Sequence, residues 1–242
     1  MAGDASYVRI LYNTLRLDYP PVAVAPVSEV PAGVPFFQGM SPSSCAFWRH
    51  AEKHLFAVNA SNHMNCSVGA MVMGFQLTDA AMQSLQQGVT MMCNVGYISP
   101  EEVQQIPTLS HGKETMLYGP LSQFPIAPEV VVLWVNAASV MLLREATGDA
   151  AWGEGVGGRV FGRPGCAALA VAQKSKEVTF SFGCMGMRTF TGVAPDDILA
   201  VIPGEKLDHL VTRLNQMDRA NCSMQAHYEQ AKQAFSFKPI GG

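Results

Sequence analysis

Charge is scarce in this chain. Asp, Glu, Lys and Arg make up 14% of its 242 residues, and the formal net charge is −3. With a pI near 6.1, nothing supports a nucleic-acid partner, which calls for a basic surface. Long apolar runs are missing too: none reaches the ~18 residues of a membrane span. The opening residues, MAGDASYVRILYNTL, show no basic segment ahead of an apolar core, so no secretory signal is expected. These absences point to a cytoplasmic protein. Familiar catalytic signatures are also missing. There is no HExxH zinc motif and no convincing Ser-His-Asp order. No CxxC occurs, so short zinc knuckles and ferredoxin-type runs are absent.

What is there is apolar. Hydrophobic residues make up 48% of the chain, and a chain of this length buries roughly 70% of its unfolded surface. The low charge suggests that part of the surface is covered by a partner or by a second copy in a homodimer. The 14 methionines read as fillers of irregular core gaps.

Strands and helices alternate. Val8, Leu11, Tyr12 and Leu15 make a helical stripe within Ser6–Leu17, ended by Pro20–Pro21. Val22–Val27 and Leu55–Ala60 read as short strands. Glu129–Val135, a β-branched run, reads as a central strand buried on both faces. Thr78, Ser99 and Asn136 are placed as helix caps. Further strands are expected at Met116–Tyr118, Glu177–Phe182 and Ile198–Ile202, with a C-terminal helix at about 206–235. This pattern is α/β: a single globular domain, 1–242, around a mixed or parallel sheet.

Two stretches organise the rest. Ser41–Gly74 runs from a Pro/Ser loop to Cys45 at a helix start, a short strand, and Cys66 ahead of Gly69. Gly153–Arg188 has the same order: a glycine loop, Cys166 at a helix start, a strand, and Cys184 beside Gly183 and Gly186. The cysteine spacings are 21 and 18 residues. The chain is therefore read as two pseudo-repeated halves, about 18–75 and 128–190, each a strand, a Cys helix, a strand and a Cys turn.

Six cysteines in a cytoplasmic chain are reduced, metal-bound or reactive rather than disulfide-paired. Cys93 and Cys222 read as ordinary structural cysteines. Cys45, Cys66 and Cys166 fall in predicted first helical turns, where the helix dipole lowers a thiol's pKa. Cys184 ends a strand. Gly69, Gly165 and Gly183 let the backbone approach a bound group closely. Two copies would bring the four cysteines to one crevice. Four thiolates suit an iron–sulfur cluster, 4Fe-4S first, or a tetrahedral zinc. The cluster is preferred because structural zinc usually ties short knuckles in small domains. The alternatives are a metal-free thiol enzyme and a non-catalytic carrier of a metal or a tetrapyrrole such as haem.

His63, three residues before Cys66, is a candidate ligand or proton donor, or else an exposed helix cap. Arg159, Arg163 and Arg188 crowd the second cysteine pair and suit a carboxylate or phosphate; the bland reading is solvated arginine. Gly153–Gly158, GEGVGG, is a loose phosphate cradle, out of register and without a Walker lysine, so a lid explains it equally. The expected partner is a small anionic molecule or a redox partner protein.

These residues resemble a prokaryotic family, the domain of unknown function one hundred and sixty-nine. The likeness spans nearly the whole chain. It rests on Pro20-Pro21-Val22-Ala23-Val24, Cys45 with Trp48, the H-x-x-C-x-x-G-A pattern from His63 to Ala70, the glycine loop with Cys166, and Gly183-Cys184 with Gly186 and Arg188. Ser67 stands where the pattern has proline. The resemblance implies a soluble prokaryotic protein whose pattern includes these four cysteines; it implies no reaction.

Overall fold

The computed structural model describes residues 5–148 and 159–234. In chain order it runs through α1 (Ala5–Leu15), β1 (Val22–Val27), α2 (Ala46–Ala51), β2 (Phe56–Asn59), α3 (Ala60–His63) and α4 (Ser67–Val72). Then come α5 (Asp79–Asn94), α6 (Pro100–Gln104), β3 (Thr115–Pro120), β4 (Val130–Val135) and α7 (Ala137–Thr147). The last stretch holds β5 (Arg159–Phe161), α8 (Ala168–Ser175), β6 (Thr179–Ser181), α9 (Met185–Thr191), β7 (Ile198–Pro203) and α10 (Leu207–Ala234). The Gly153–Gly158 loop, residue 235 of the expected C-terminal helix, and Lys238–Gly242 lie outside the described residues.

The sheet forms around β4, whose six residues are all buried. Side chains alternate across a strand, and both of its faces are apolar. Val130, Val132 and Trp134 join one core cluster, while Val131, Leu133 and Val135 join the other. The seven strands lie in the order β2-β3-β1-β4-β7-β6-β5. Every neighbouring pair is antiparallel except β5 with β6. The sheet is thus mixed, and the parallel alternative is corrected. An antiparallel sheet does not gather all strand C-termini on one edge, so any common site must be assembled by the connecting segments instead.

Helices cover both faces. Beneath one lie Leu11 and Leu15 of α1, Leu143 of α7, and Leu207, Leu210, Val211 and Leu214 of α10. The α10 set repeats at three and four residues, the stripe of an amphipathic helix. After Leu214 the stripe ends and the helix continues largely exposed. Over the other face lie Phe47 and Trp48 of α2, Val72 of α4, Ala168, Leu169, Ala170 and Ala172 of α8 and Met187 of α9.

Six of the seven strands are placed symmetrically about the β1–β4 pair, with β5 added beyond β6. Moving outward from that pair, the sheet reads β1, β3, β2 one way and β4, β7, β6 the other. In both directions the chain visits the inner strand, then the outer, then the middle one. Each middle strand ends in a proline, Pro120 or Pro203, of nearly equal backbone angles (φ −58, ψ 135; φ −57, ψ 133), followed by a 3-10 turn.

Three elements were not expected from the sequence, among them the short helix α3, which ends at His63. β5 is a three-residue edge strand in the glycine-rich stretch, too short to show a period. α9 stands where a Cys turn was expected; Cys184 is its N-cap.

Candidate four-cysteine site

Each cysteine is set by its own local turn. Ser43 Oγ accepts from the Ala46 amide at 3.2 Å, starting α2, and lies 3.1 Å from Cys45 Sγ. The Cys66 amide donates to the His63 carbonyl at 2.9 Å, closing the turn between α3 and α4. Cys166 lies in the 3-10 turn Gly165–Ala167 ahead of α8. Cys184 Sγ accepts from the Met187 amide at 3.5 Å.

Glycines let these turns meet. A Cβ on Gly69 would lie 2.4 Å from Ser44 Oγ and 2.8 Å from Cys66 Sγ, so the Cys45 and Cys66 segments converge there. A Cβ on Gly165 would lie 3.0 Å from the Gly183 Cα and 3.3 Å from the Cys184 amide, which joins the other two segments. Gly183 itself has φ +79, and a Cβ there would meet Met187 Cε at 2.1 Å. The two pairs are then joined crosswise: α2 packs against α9, and α4 against the turn that carries Cys166.

Cys66 and Cys184 lie within electrostatic reach of both Cys45 and Cys166, and Cys45 within reach of Cys166. Burial pushes the Cys45 thiol up to about 12; the Ser43 hydroxyl pulls against this, and the Cys66 and Cys184 charges add to it. Burial likewise holds Cys166 well above the ordinary thiol value, with Cys45, Cys66 and Cys184 all adding to the rise. This corrects the expectation that helix starts lower the thiol pKa at these two positions: in an apolar setting, desolvation of the thiolate outweighs the dipole. All six cysteines are free. Cys93 on α5 and Cys222 on α10 contribute nothing to the shifts of Cys45 and Cys166. Among the described residues, no three His, Cys, Asp or Glu side chains are gathered as ligands of a single metal ion.

His63 is 1% exposed. Its Nδ1 lies 2.9 Å from Ser44 Oγ and its Nε2 3.4 Å from the Tyr118 hydroxyl, and Tyr118 also donates to Met73 Sδ at 3.7 Å. The imidazole packs against Phe47 and Phe75, with ring centres 4.8 and 4.9 Å apart. Burial lowers its pKa to about 3, so it is neutral. The exposed-cap reading is therefore overturned, and both ring nitrogens are already in hydrogen-bond contact. Tyr118 is held above its usual range by burial and by the nearby Cys166 and Cys45. The row Ser44–His63–Tyr118 runs beside the thiols. No spacing in the sequence marks Ser44 or Tyr118. On the same face, the indole nitrogens of Trp48 and Trp134 are buried without a hydrogen-bond partner among the described residues.

The three arginines separate. The Arg188 guanidinium donates to the carbonyls of Phe182, Ala194, Pro195 and Asp197 at 2.7–3.2 Å. It ties the Cys184 turn to the segment before β7, so the donors expected to suit an anion are held by backbone carbonyls. Arg159 pairs with Glu177 on the exposed edge. Arg163 lies over the Tyr97 ring, 4.1 Å from its centre, and borders an apolar cavity with Cys184 in its wall. Of the three, only Arg163 remains a candidate to bind an anion.

The sequence profile of the family described as DUF169, uncharacterised ArCR, matches residues 10–213, a span that contains all four cysteines, His63 and Arg163. No curated protein and no solved structure matches the chain.

Proposed function

The chain belongs to the DUF169 family, and we propose that it is an iron–sulfur protein acting in redox chemistry, its cluster held by Cys45, Cys66, Cys166 and Cys184. One observation carries this reading: four separate cysteine-bearing segments are packed together through glycine contacts and the α2–α9 and α4–Cys166-turn pairings, with Cys45, Cys66 and Cys184 all within electrostatic reach of Cys166. A cluster is preferred to zinc because structural zinc usually ties short cysteine knuckles in small domains, whereas the thiolates of a four-iron cluster each take a different iron. The upward shift of Cys45 and Cys166 weighs against a metal-free thiol nucleophile at those positions, because such a nucleophile needs a readily formed thiolate. Bound there, a cluster supplies electron transfer at a potential set by burial, charge and hydrogen bonds to sulfur.

The residues around the thiols suit that role. The apolar face excludes water, and the glycine contacts leave room for no extra side chain between the cysteine segments. The unpaired indole N–H groups of Trp48 and Trp134 are donors on the sulfur-bearing face. His63 and Tyr118 hold their protons in a closed row of hydrogen bonds. The halves at about 18–75 and 128–190 are read as copies of one unit, and the symmetric strand order supports this. A reducing compartment such as the cytoplasm keeps the thiols available. Among the described residues no helix is long and apolar enough to cross a membrane.

The test is iron and acid-labile sulfide content of single variants purified without oxygen. Cys166→Ser loses both, and Cys222→Ser keeps both. Equal loading in all six Cys→Ser variants would remove the proposed site.

A further inference from the structure

The segment holding α5 and α6 adds little to the core. α5 buries one side chain, Ala81, and α6 buries none. It stands between α4 and β3, where the second half has only residues 192–197 between α9 and β7. What it builds is one wall of a cavity of ≈ 440 Å³. Met92, Tyr97 and Val103 line that wall, and Arg163, Cys184 and Met185 face them from the other half. The volume lies in the lower part of the ~300–1,000 Å³ range of small-ligand sites. Around it, Val95 and Met185 are each 71% exposed, apolar surface that a ligand would cover. Methionine in such a wall adapts to varied apolar shapes.

Among the described residues, two charged side chains line this cavity, Glu102 and Arg163. Glu102 is engaged: its carboxylate accepts from the Ser99 amide at 2.7 Å in the capping box of α6. Arg163 is not. Its face is stacked on Tyr97, and among the described residues its N–H groups have no hydrogen-bond or ion-pair partner. Stacking occupies the plane of a guanidinium and leaves its edge donors free for a carboxylate, bidentately.

We propose that this cavity binds a small organic acid with an apolar body, its carboxylate on Arg163 and its chain between α5–α6 and the Cys184 turn. This deepens the reading of the thiol site by naming a substrate class. What happens to the acid beside Cys184 rests on that reading, whereas its binding rests on the cavity alone.

Octanoate is the probe, with 1-octanol as its neutral counterpart, titrated calorimetrically into protein purified without oxygen. Octanoate is expected to bind with one-to-one stoichiometry. Arg163→Ala, at an exposed position, should weaken octanoate by about tenfold, the scale of a charge-assisted pair, while leaving 1-octanol nearly unchanged. Val103→Trp, which fills the cavity, should abolish binding of both. Arg159→Ala is the control and should change neither. No saturable octanoate binding, equal weakening by Arg159→Ala, or full binding to Val103→Trp would each overturn the proposal. Iron and sulfide are measured on the same samples. Octanoate bound to iron-free protein contradicts the cluster reading alone; a loaded cluster without octanoate binding contradicts the cavity proposal alone.

Discussion

Beneath α1, α7 and α10 the sheet carries a core of leucine, valine and alanine with Phe124 and Phe180, and no cysteine. Beneath α2, α4 and α8 it carries Phe47, Trp48, Tyr118 and Trp134, the buried Cys45 and Cys166 with Cys184 half-buried against them, and a neutral histidine. Both faces bury apolar surface, so both stabilise the fold. The first face has Tyr12, raised by burial, at its margin; the second gathers thiols, a phenol and an imidazole whose charged forms burial disfavours. One face is built for packing, and the other accepts the cost of thiols, an imidazole and unpaired indoles in an apolar setting. Groups of that kind in one place are what a functional site looks like physically.

The comparison is broken most strongly on the packing face. Leu143→Ala leaves a cavity beneath α7, where the side chain is fully buried, and should cost ~2–5 kcal/mol. Urea unfolding measures this, and the iron content of the folded fraction should not change. A similar loss of iron would mean that the faces are not independent.

The next effect belongs to the thiol face and to pH. The folded pKa of His63 is about 3, below its ordinary 6.5. The unfolded chain therefore takes up the proton first. The stability is fully present above pH 6.5 and is lost as pH falls from there towards 3. Between pH 6.5 and 5 the loss should be about 2 kcal/mol. Glu52 acts in the opposite sense: burial raises it to about 6 from 4.5, so its effect favours the folded state below 4.5 and fades as pH rises through 6. Comparing wild type with His63→Gln isolates the histidine; an unchanged pH slope in the variant would show that His63 is not the group responsible.

Arg188→Ala comes last, with an effect similar in size to that of the histidine. Four carbonyls lose a charged donor at the Cys184 turn, and about 2 kcal/mol is expected for a partly exposed clamp. Thermal melting measures the loss. Octanoate affinity should fall far less than in Arg163→Ala, because Arg188 is tied to backbone rather than facing the cavity.

Much of the packing was legible in the residues. Val22–Val27 was placed to the residue, β4 to within one, and the caps at Thr78, Ser99 and Asn136 each make the expected side-chain bond. These are local signals of period, β-branching and capping. Strand direction was not legible, because pairing is decided by contacts far apart in sequence. Neither was α9, where Gly186 and Thr189 break any strong helical pattern and tertiary packing decides. At the site, the order and spacing of Cys45, Cys66, Cys166 and Cys184 raise the expectation that they meet, and the glycine contacts show their segments packed together. The upward direction of the Cys45 and Cys166 shifts did not, since burial is a property of the assembled face. The hold on Arg188 was not legible for a related reason: its partners are carbonyls, which every residue carries and no sequence marks.

The central claim is that four thiols on the second face hold one iron–sulfur cluster. The most direct measurement is iron, acid-labile sulfide and zinc content, with a visible spectrum, on wild-type protein purified without oxygen. The predicted result is iron and sulfide in matching amounts with a broad absorbance near ~400 nm. A colourless protein that carries one zinc, or no metal at all, would contradict it.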